Sequence, residues 1–163
     1  MRYNKIRKMD ISNGTGVRVS IFVQGCHFHC EGCFNPETWD FKLGKEYTLD
    51  IENKLLDLCK SDYIEGLSIL GGEPLNPINI KDVINLSKRF KGLYPNKNIW
   101  LWTGYLFEDI IDKEILKYID VLVDGNFKID LKDPRLKYCG SKNQRVIDIR
   151  KTIINNKITI LEG

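Results

Sequence analysis

The chain has 163 residues, 42% hydrophobic and 29% charged, with a formal net charge of +3. That is one domain's worth of sequence, 1–163, able to bury a core without disulfides, and its charge is too mild for a nucleic-acid binder. No stretch approaches the roughly 18 apolar residues of a membrane span and no apolar leader follows Met1, so no nucleic-acid or membrane partner is expected and a cytoplasmic location is.

In chain order, "NGTG" reads as a turn, and the alternation of Val17, Val19, Ile21 and Val23 predicts a strand. The loop "GCHFHCEGC", Gly25 to Cys33, follows directly. Over Leu49–Cys59 the spacing of Ile51, Leu55, Leu58 and Cys59 predicts a helix, with Thr48 as N-cap and Asp50 and Glu52 in its first turn. "LSIL" (Leu67–Leu70) reads as a second strand, stopped by "GGEPLNP". Ile80, Val83, Ile84, Ser87 and Phe90 mark a helix capped by Asn79 and ending near Gly92.

"NIWLWTGY" supplies a third strand, Tyr105–Tyr118 has a helical period, "DVLVDG" is a fourth strand and "RVIDI" a fifth. "KITIL" near the C-terminus is either a sixth strand or a packing tail. The basic residues of "RYNKIRK" and those between Lys128 and Lys137 read as solvated surface. Strands alternating with helices predict an α/β fold with a mainly parallel sheet of five or six strands. A closed eight-unit barrel needs about 250 residues, so the expected form is an open, partial (β/α) barrel. Ligands bind beyond the carboxyl ends of such strands, so the cysteine loop, "GGEP", "TG" and "DG" should share one rim.

Three of five cysteines crowd into that first loop, which suits metal in a reducing compartment better than a disulfide framework. Cys26, Cys30 and Cys33 form C-x3-C-x2-C. A [4Fe–4S] cluster has four corners, and three thiolates leave one iron open to a substrate or cofactor. The same thiols with His27 or His29 would instead close a tetrahedral zinc site, making the chain a zinc-stabilised binding module without catalysis. In "GGEP", Gly71 and Gly72 would let backbone approach a ligand and Glu73 would accept from an ammonium group; a plain turn is the competing reading. Cys59 and Cys139 read as ordinary thiols.

Taken together, C-x3-C-x2-C after the first strand and "GGEP" after the second resemble the radical S-adenosylmethionine enzymes. The segments "GVRVSIFVQGC", "GCFNPETWDF", "GGEPL", "WTGY", "DVLVDGNF" and "GSKNQRVID", spread from Gly16 to Asp148, resemble the glycyl-radical-enzyme activases of the anaerobic (class III) ribonucleoside-triphosphate reductase. The resemblance implies one [4Fe–4S] cluster on Cys26, Cys30 and Cys33, with S-adenosylmethionine chelating the fourth iron. It implies cofactor contacts from Gly32, Cys33, Phe34, Gly71, Gly72, Glu73, Thr103, Gly104 and Asp124, and no catalytic side chain. Gly32 stands where many members carry an aromatic residue, and Phe34 lies on the other side of Cys33.

The implied reaction is reductive cleavage of S-adenosylmethionine to a 5′-deoxyadenosyl radical, which takes a hydrogen from a glycine of the reductase's large subunit. The implied partners are that subunit and a low-potential electron donor such as flavodoxin or ferredoxin. Within the same class, the alternative is an activase of another glycyl-radical enzyme such as pyruvate formate-lyase, whose activases are longer as a rule. Asn143 and Arg145 are expected near the site or the partner surface, without an assigned role.

Overall fold

A computed structural model describes residues 1–161. The elements in chain order are β1 (Arg2–Asp10), β2 (Val17–Gln24), β3 (Lys45–Glu46), α1 (Leu49–Leu58), β4 (Ile64–Gly71), α2 (Ile80–Leu93), β5 (Asn98–Trp102), β6 (Val121–Asp124), β7 (Arg145–Asp148) and α3 (Ile149–Asn155). The strands form a 7-stranded sheet in the order β3-β1-β2-β4-β5-β6-β7.

Only the central run β2, β4, β5, β6 is parallel. The pairs β1–β3, β1–β2 and β6–β7 are antiparallel. The sheet is therefore open and mixed, and the expected mainly parallel partial barrel of five or six strands is corrected. Two sequence features account for the difference. A parallel return needs a crossover to the other end of the sheet; the segment between β6 and β7 begins and ends at the rim, where Asn126 and Gln144 both line the cleft, so β7 comes back antiparallel. Strand β1 comes from "RYNKIRKMD", whose charged residues read as surface, and of its nine residues only Tyr3 and Asp10 are buried. Such a half-buried strand, between the short β3 and β2, leaves little apolar alternation to read.

Local chemistry explains the remaining corrections. Tyr105–Tyr118 is not a helix but two 3-10 turns, Phe107–Asp109 and Lys113–Lys117. Asp124 accepts from the Phe107 N–H at 2.8 Å and Asp112 from the Glu114 N–H at 3.1 Å, so side-chain acceptors start each turn and compete with a continuous helix. The "RVIDI" strand stops at Asp148, whose carboxylate accepts from the Lys151 N–H at 3.0 Å and caps α3. "KITIL" forms no full strand but pairs with β7 through an antiparallel bridge of Ile160 to Ile147, where Leu161 N–H donates to Val146 O and Asp148 N–H to Thr159 O, each at 2.8 Å. Thr48 caps α1 through a 3.2 Å bond from the Ile51 N–H. Asn79 does not cap α2; its Nδ2 donates to Gln24 O and Glu73 O and so ties two loops together.

Alternation along the parallel strands divides the interior. Val19, Ile21, Val23, Leu67, Ile69, Ile99 and Leu101 pack with Leu55 of α1 and Val83, Leu86 and Phe90 of α2. Burying one such side chain stabilises by about 1.5–3 kcal/mol. The opposite parity presents Arg18, Ser20, Phe22, Ser68, Leu70, Trp100 and Trp102 to the other face. There the segment after β6 folds back, with the Trp102 Nε1–H donating to Tyr138 O at 2.6 Å. Arg18 is fully buried and donates to Ser68 Oγ, Thr15 O and Leu67 O. Its burial pulls the guanidinium down to about 10. Among the described residues no helix is long and apolar enough to cross a membrane.

Candidate functional site

The carboxyl ends of β2, β4, β5 and β6 bring four loops to one rim. The first two are locked by backbone: Gly72 N–H donates to Val23 O at 2.8 Å and Glu73 N–H to Gly25 O at 2.7 Å. A Cβ at Gly72 would stand 2.5 Å from Gly25 O, so no side chain fits where the loops meet. The glycine pair of "GGEP" thus serves the approach of the cysteine loop to β4.

Glu73, 1% exposed, joins the second loop to the third. Its Oε2 accepts from Thr103 Oγ1 at 2.7 Å and from Leu75 N–H at 2.9 Å, and its Oε1 from Gly104 N–H at 2.7 Å. Burial pushes the Glu73 carboxyl up to about 7, against the pull of those three bonds. Oε1, with a single partner, keeps a lone pair for a further donor.

Cys26, Cys30 and Cys33 line a cleft of about 140 Å³ together with Gly71, Gly72, Glu73, Thr103 and Gly104. Their loop is pinned where Gly25 N–H donates to Thr38 O and Cys26 N–H to Trp39 O, and it turns through His29 at a left-handed φ of 49°. Burial pushes the Cys26 and Cys30 thiols up. The Cys30 thiol lies 3.6 Å from Asn126 Oδ1, and Cys33 Sγ accepts from the Asn35 N–H at 3.4 Å.

The histidines are engaged elsewhere. His27 Nδ1 is 3.0 Å from Asn76 Nδ2 and its ring lies 4.1 Å from that of Phe28, while His29 stacks on Trp39 with centroids 4.6 Å apart. Among the described residues no three histidine, cysteine, aspartate or glutamate side chains gather around one point as a single ion requires. A zinc ion needs its four ligands within about 2.0–2.3 Å. A four-iron cluster asks each thiolate to reach a different corner, and three soft thiolates lining one cleft are the donor set it takes.

The other expected residues divide into three groups. Phe34 is 61% exposed and borders an adjoining cavity of about 640 Å³, shared with Cys33, Trp102 and Cys139. Gly32 borders neither cleft nor cavity. Asp124 is buried beneath the rim, where Arg145 Nε donates to its Oδ1 at 3.0 Å and Phe107 N–H to its Oδ2. Residues that sequence reasoning left out or without a role also belong here. Asn126 and Gln144 line the cleft, Asn143 Nδ2 donates to Asn126 O at 2.7 Å, and Gln144 Nε2 donates to Gly125 O at 3.0 Å. The polar run "GSKNQR" was the available signal, since a segment entering a strand seldom carries that many amides without a use for them.

Comparison with known proteins agrees with this chemistry. A family model described as a 4Fe-4S single cluster domain matches residues 12–147. The chain is 44% identical over 146 residues to the anaerobic ribonucleoside-triphosphate reductase-activating protein of Enterobacteria phage T4, covering 90% of this chain and 93% of that protein. It is 43% identical over 148 residues to the protein of that name from Vibrio cholerae (88% and 96%), and 39% over 154 residues to that from Escherichia coli strain K12 (92% and 100%).

Proposed function

Since the chain belongs to the family of anaerobic ribonucleoside-triphosphate reductase-activating proteins, we propose that it activates that reductase by radical S-adenosylmethionine chemistry. Cys26, Cys30 and Cys33 would hold three corners of a [4Fe–4S] cluster. When bound and reduced, the cluster supplies the electron that cleaves the sulfonium of S-adenosylmethionine to methionine and a 5′-deoxyadenosyl radical. That chemistry would serve to remove a hydrogen atom from one glycine of the reductase's large subunit, with 5′-deoxyadenosine as the by-product and a glycyl radical left on the subunit. A low-potential donor of the flavodoxin or ferredoxin type would supply the electron.

The observation that carries this reading is the clasp of Glu73, Thr103 and Gly104 against the three-cysteine loop in one cleft. In this reading Glu73 Oε1 accepts from the methionyl ammonium while its other bonds keep the loops in register. Thr103 and Gly104 act through Glu73, orienting it and not touching the reacting atoms. Phe34, on the border of the adjoining cavity, would contact the adenine from the far side of Cys33. Asp124, held by Arg145, would support the floor under the rim. The adjoining 640 Å³ cavity, which shares Cys33, Trp102 and Gln144 with the cleft, has room for a peptide segment, whose docking would exclude water from the site.

The test adds the large reductase subunit to the reconstituted, reduced protein with S-adenosylmethionine and records its electron paramagnetic resonance spectrum. The reading expects a glycyl radical on the subunit, absent when the Cys30→Ala variant is used. Activation of pyruvate formate-lyase in preference to the reductase would replace this reading with its neighbour.

A further inference from the structure

The amides of "GSKNQR" take no part in the proposed chemistry, yet they close over the segment that follows β6. Asn143 Nδ2 donates to Asn126 O at 2.7 Å and Gln144 Nε2 to Gly125 O at 3.0 Å, while Lys128 N–H donates to Ser141 Oγ at 3.1 Å. The clamp is itself braced. Gln144 Oε1 accepts from the Gly140 and Ser141 N–H groups, and Asn143 Oδ1 accepts from Ser141 Oγ at 2.6 Å. Three side chains thus fix the backbone of residues 125–128, and Asn126 from that stretch lines the cysteine cleft.

The Asn126 amide sits in a fitted place. Its Oδ1 lies 3.6 Å from Cys30 Sγ, 96 positions away in the chain, and accepts from that thiol. Gly104 borders it as well: a Cβ there would stand 2.4 Å from Asn126 Oδ1 and 2.7 Å from the Phe28 ring. Gly104 has no left-handed φ, so a glycine is there for room, and the amide tip fills the space it leaves. Among the described residues, Asn126 Nδ2 has no hydrogen-bond partner in the protein.

The Cys30 thiol donates only while it carries its proton. As a metal ligand it is a thiolate, and an amide oxygen facing it would set two acceptors against each other. Rotation about the terminal torsion of asparagine, which is roughly two-fold, exchanges Oδ1 for Nδ2 without moving the backbone. The free donor then meets the acceptor.

We propose that Asn126, clamped by Asn143 and Gln144, is a positioning residue that donates through Nδ2 to the Cys30 thiolate and thereby raises the reduction potential of the cluster. The inference rests on the proposed function, in which Cys30 holds one iron. Hydrogen bonds to the sulfurs are among the factors that set the potential of an iron–sulfur cluster. The positive end of an N–H dipole stabilises the electron gained on reduction, so a cluster with this bond is reduced by a weaker donor.

The experiment uses the protein reconstituted with iron and sulfide, without S-adenosylmethionine or the reductase. Midpoint potentials are read by electron paramagnetic resonance during anaerobic reductive titration of the wild type, Asn126→Leu and Asn126→Asp, beside their iron content. Asn126→Leu, which keeps the branched outline and loses the donor, is expected to hold wild-type iron and to shift the potential downward. Asn126→Asp, with a charge in place of the N–H, should shift it further. A wild-type potential in loaded Asn126→Leu overturns the inference, and so does loss of iron from both variants, which would make Asn126 a support of the cysteine loop. A further measurement needs no variant to fold: with asparagine side chains labelled with nitrogen-15, the reduced wild-type cluster should show a weak coupling to that nucleus, lost in Asn126→Leu. Absence of the coupling from a loaded wild type overturns this inference alone, whereas a wild type that refuses the cluster overturns the proposed chemistry and the inference with it.

Discussion

Thr103 Oγ1 and Glu73 Oε2 lie 2.7 Å apart although 30 positions separate them in the chain, and their bond joins the loop after β4 to the loop after β5. Thr103 also accepts from the Tyr105 N–H at 3.1 Å, so one hydroxyl orders two loops. Thr103→Val keeps the shape and removes both functions. The expected cost is about 1–3 kcal/mol of stability. With Glu73 free to turn, S-adenosylmethionine binding should weaken several-fold while the iron content stays unchanged. Iron analysis beside equilibrium binding checks this, and loss of iron would mean that Thr103 supports the cysteine loop instead.

The Glu73 carboxyl gives a pH signature. Burial raises it in the folded chain to about 7, above the ordinary value of 4.5. Between those two values the folded state holds more protons than the unfolded state, so stability is fullest below about pH 4.5 and declines as pH rises through about 7. Glu73→Gln should flatten this decline in cluster-free protein. Urea midpoints taken between about pH 5 and pH 8 measure it, and an unchanged slope in the variant would assign the effect to other groups.

Gly72 is tested by adding one carbon. In Gly72→Ala the new methyl would meet Gly25 O at 2.5 Å and force the cysteine loop away from β4. The expected outcome is a protein that folds but takes up iron and sulfide poorly, read by metal analysis after reconstitution. Full cluster content would show that the two loops need not touch.

The sequence was informative wherever a residue's chemistry acts locally. Thr48, Val19, Ile21, Leu55 and Phe90 follow from spacing because a cap or an apolar face is written within one or two turns. The cysteine loop and "GGEP" were legible as motifs, and their meeting at one rim followed from both succeeding parallel strands. Strand β1 and the hairpin-like return of β7 were not legible. Strand β1 pairs with β2, the next strand in the chain, while Arg7, Lys8 and Met9 stay exposed, so its side chains leave little apolar alternation to read. Asn79 shows another limit in a single residue, since its amide holds Gln24 and Glu73 across the fold instead of capping the helix it precedes.

Asp124 and Arg145 illustrate a buried ion pair that one substitution would leave half complete. Asp124 has no exposed side-chain surface, whereas Arg145 is 30% exposed and also reaches Glu108. Arg145→Met should cost about 3–5 kcal/mol by stranding the carboxylate. The double variant Arg145→Met with Asp124→Asn should recover part of that loss. Denaturant unfolding of the three proteins decides between pairing and simple packing, because packing alone predicts additive losses.

The central claim is tested most directly by S-adenosylmethionine cleavage. The protein is reconstituted with iron and sulfide, reduced without oxygen, mixed with S-adenosylmethionine and analysed for 5′-deoxyadenosine beside Cys30→Ala. The account predicts 5′-deoxyadenosine and methionine in equal amounts from the wild type and none from the variant. A colourless protein that binds one zinc, refuses iron and releases no 5′-deoxyadenosine would contradict it and leave a zinc-stabilised binding module.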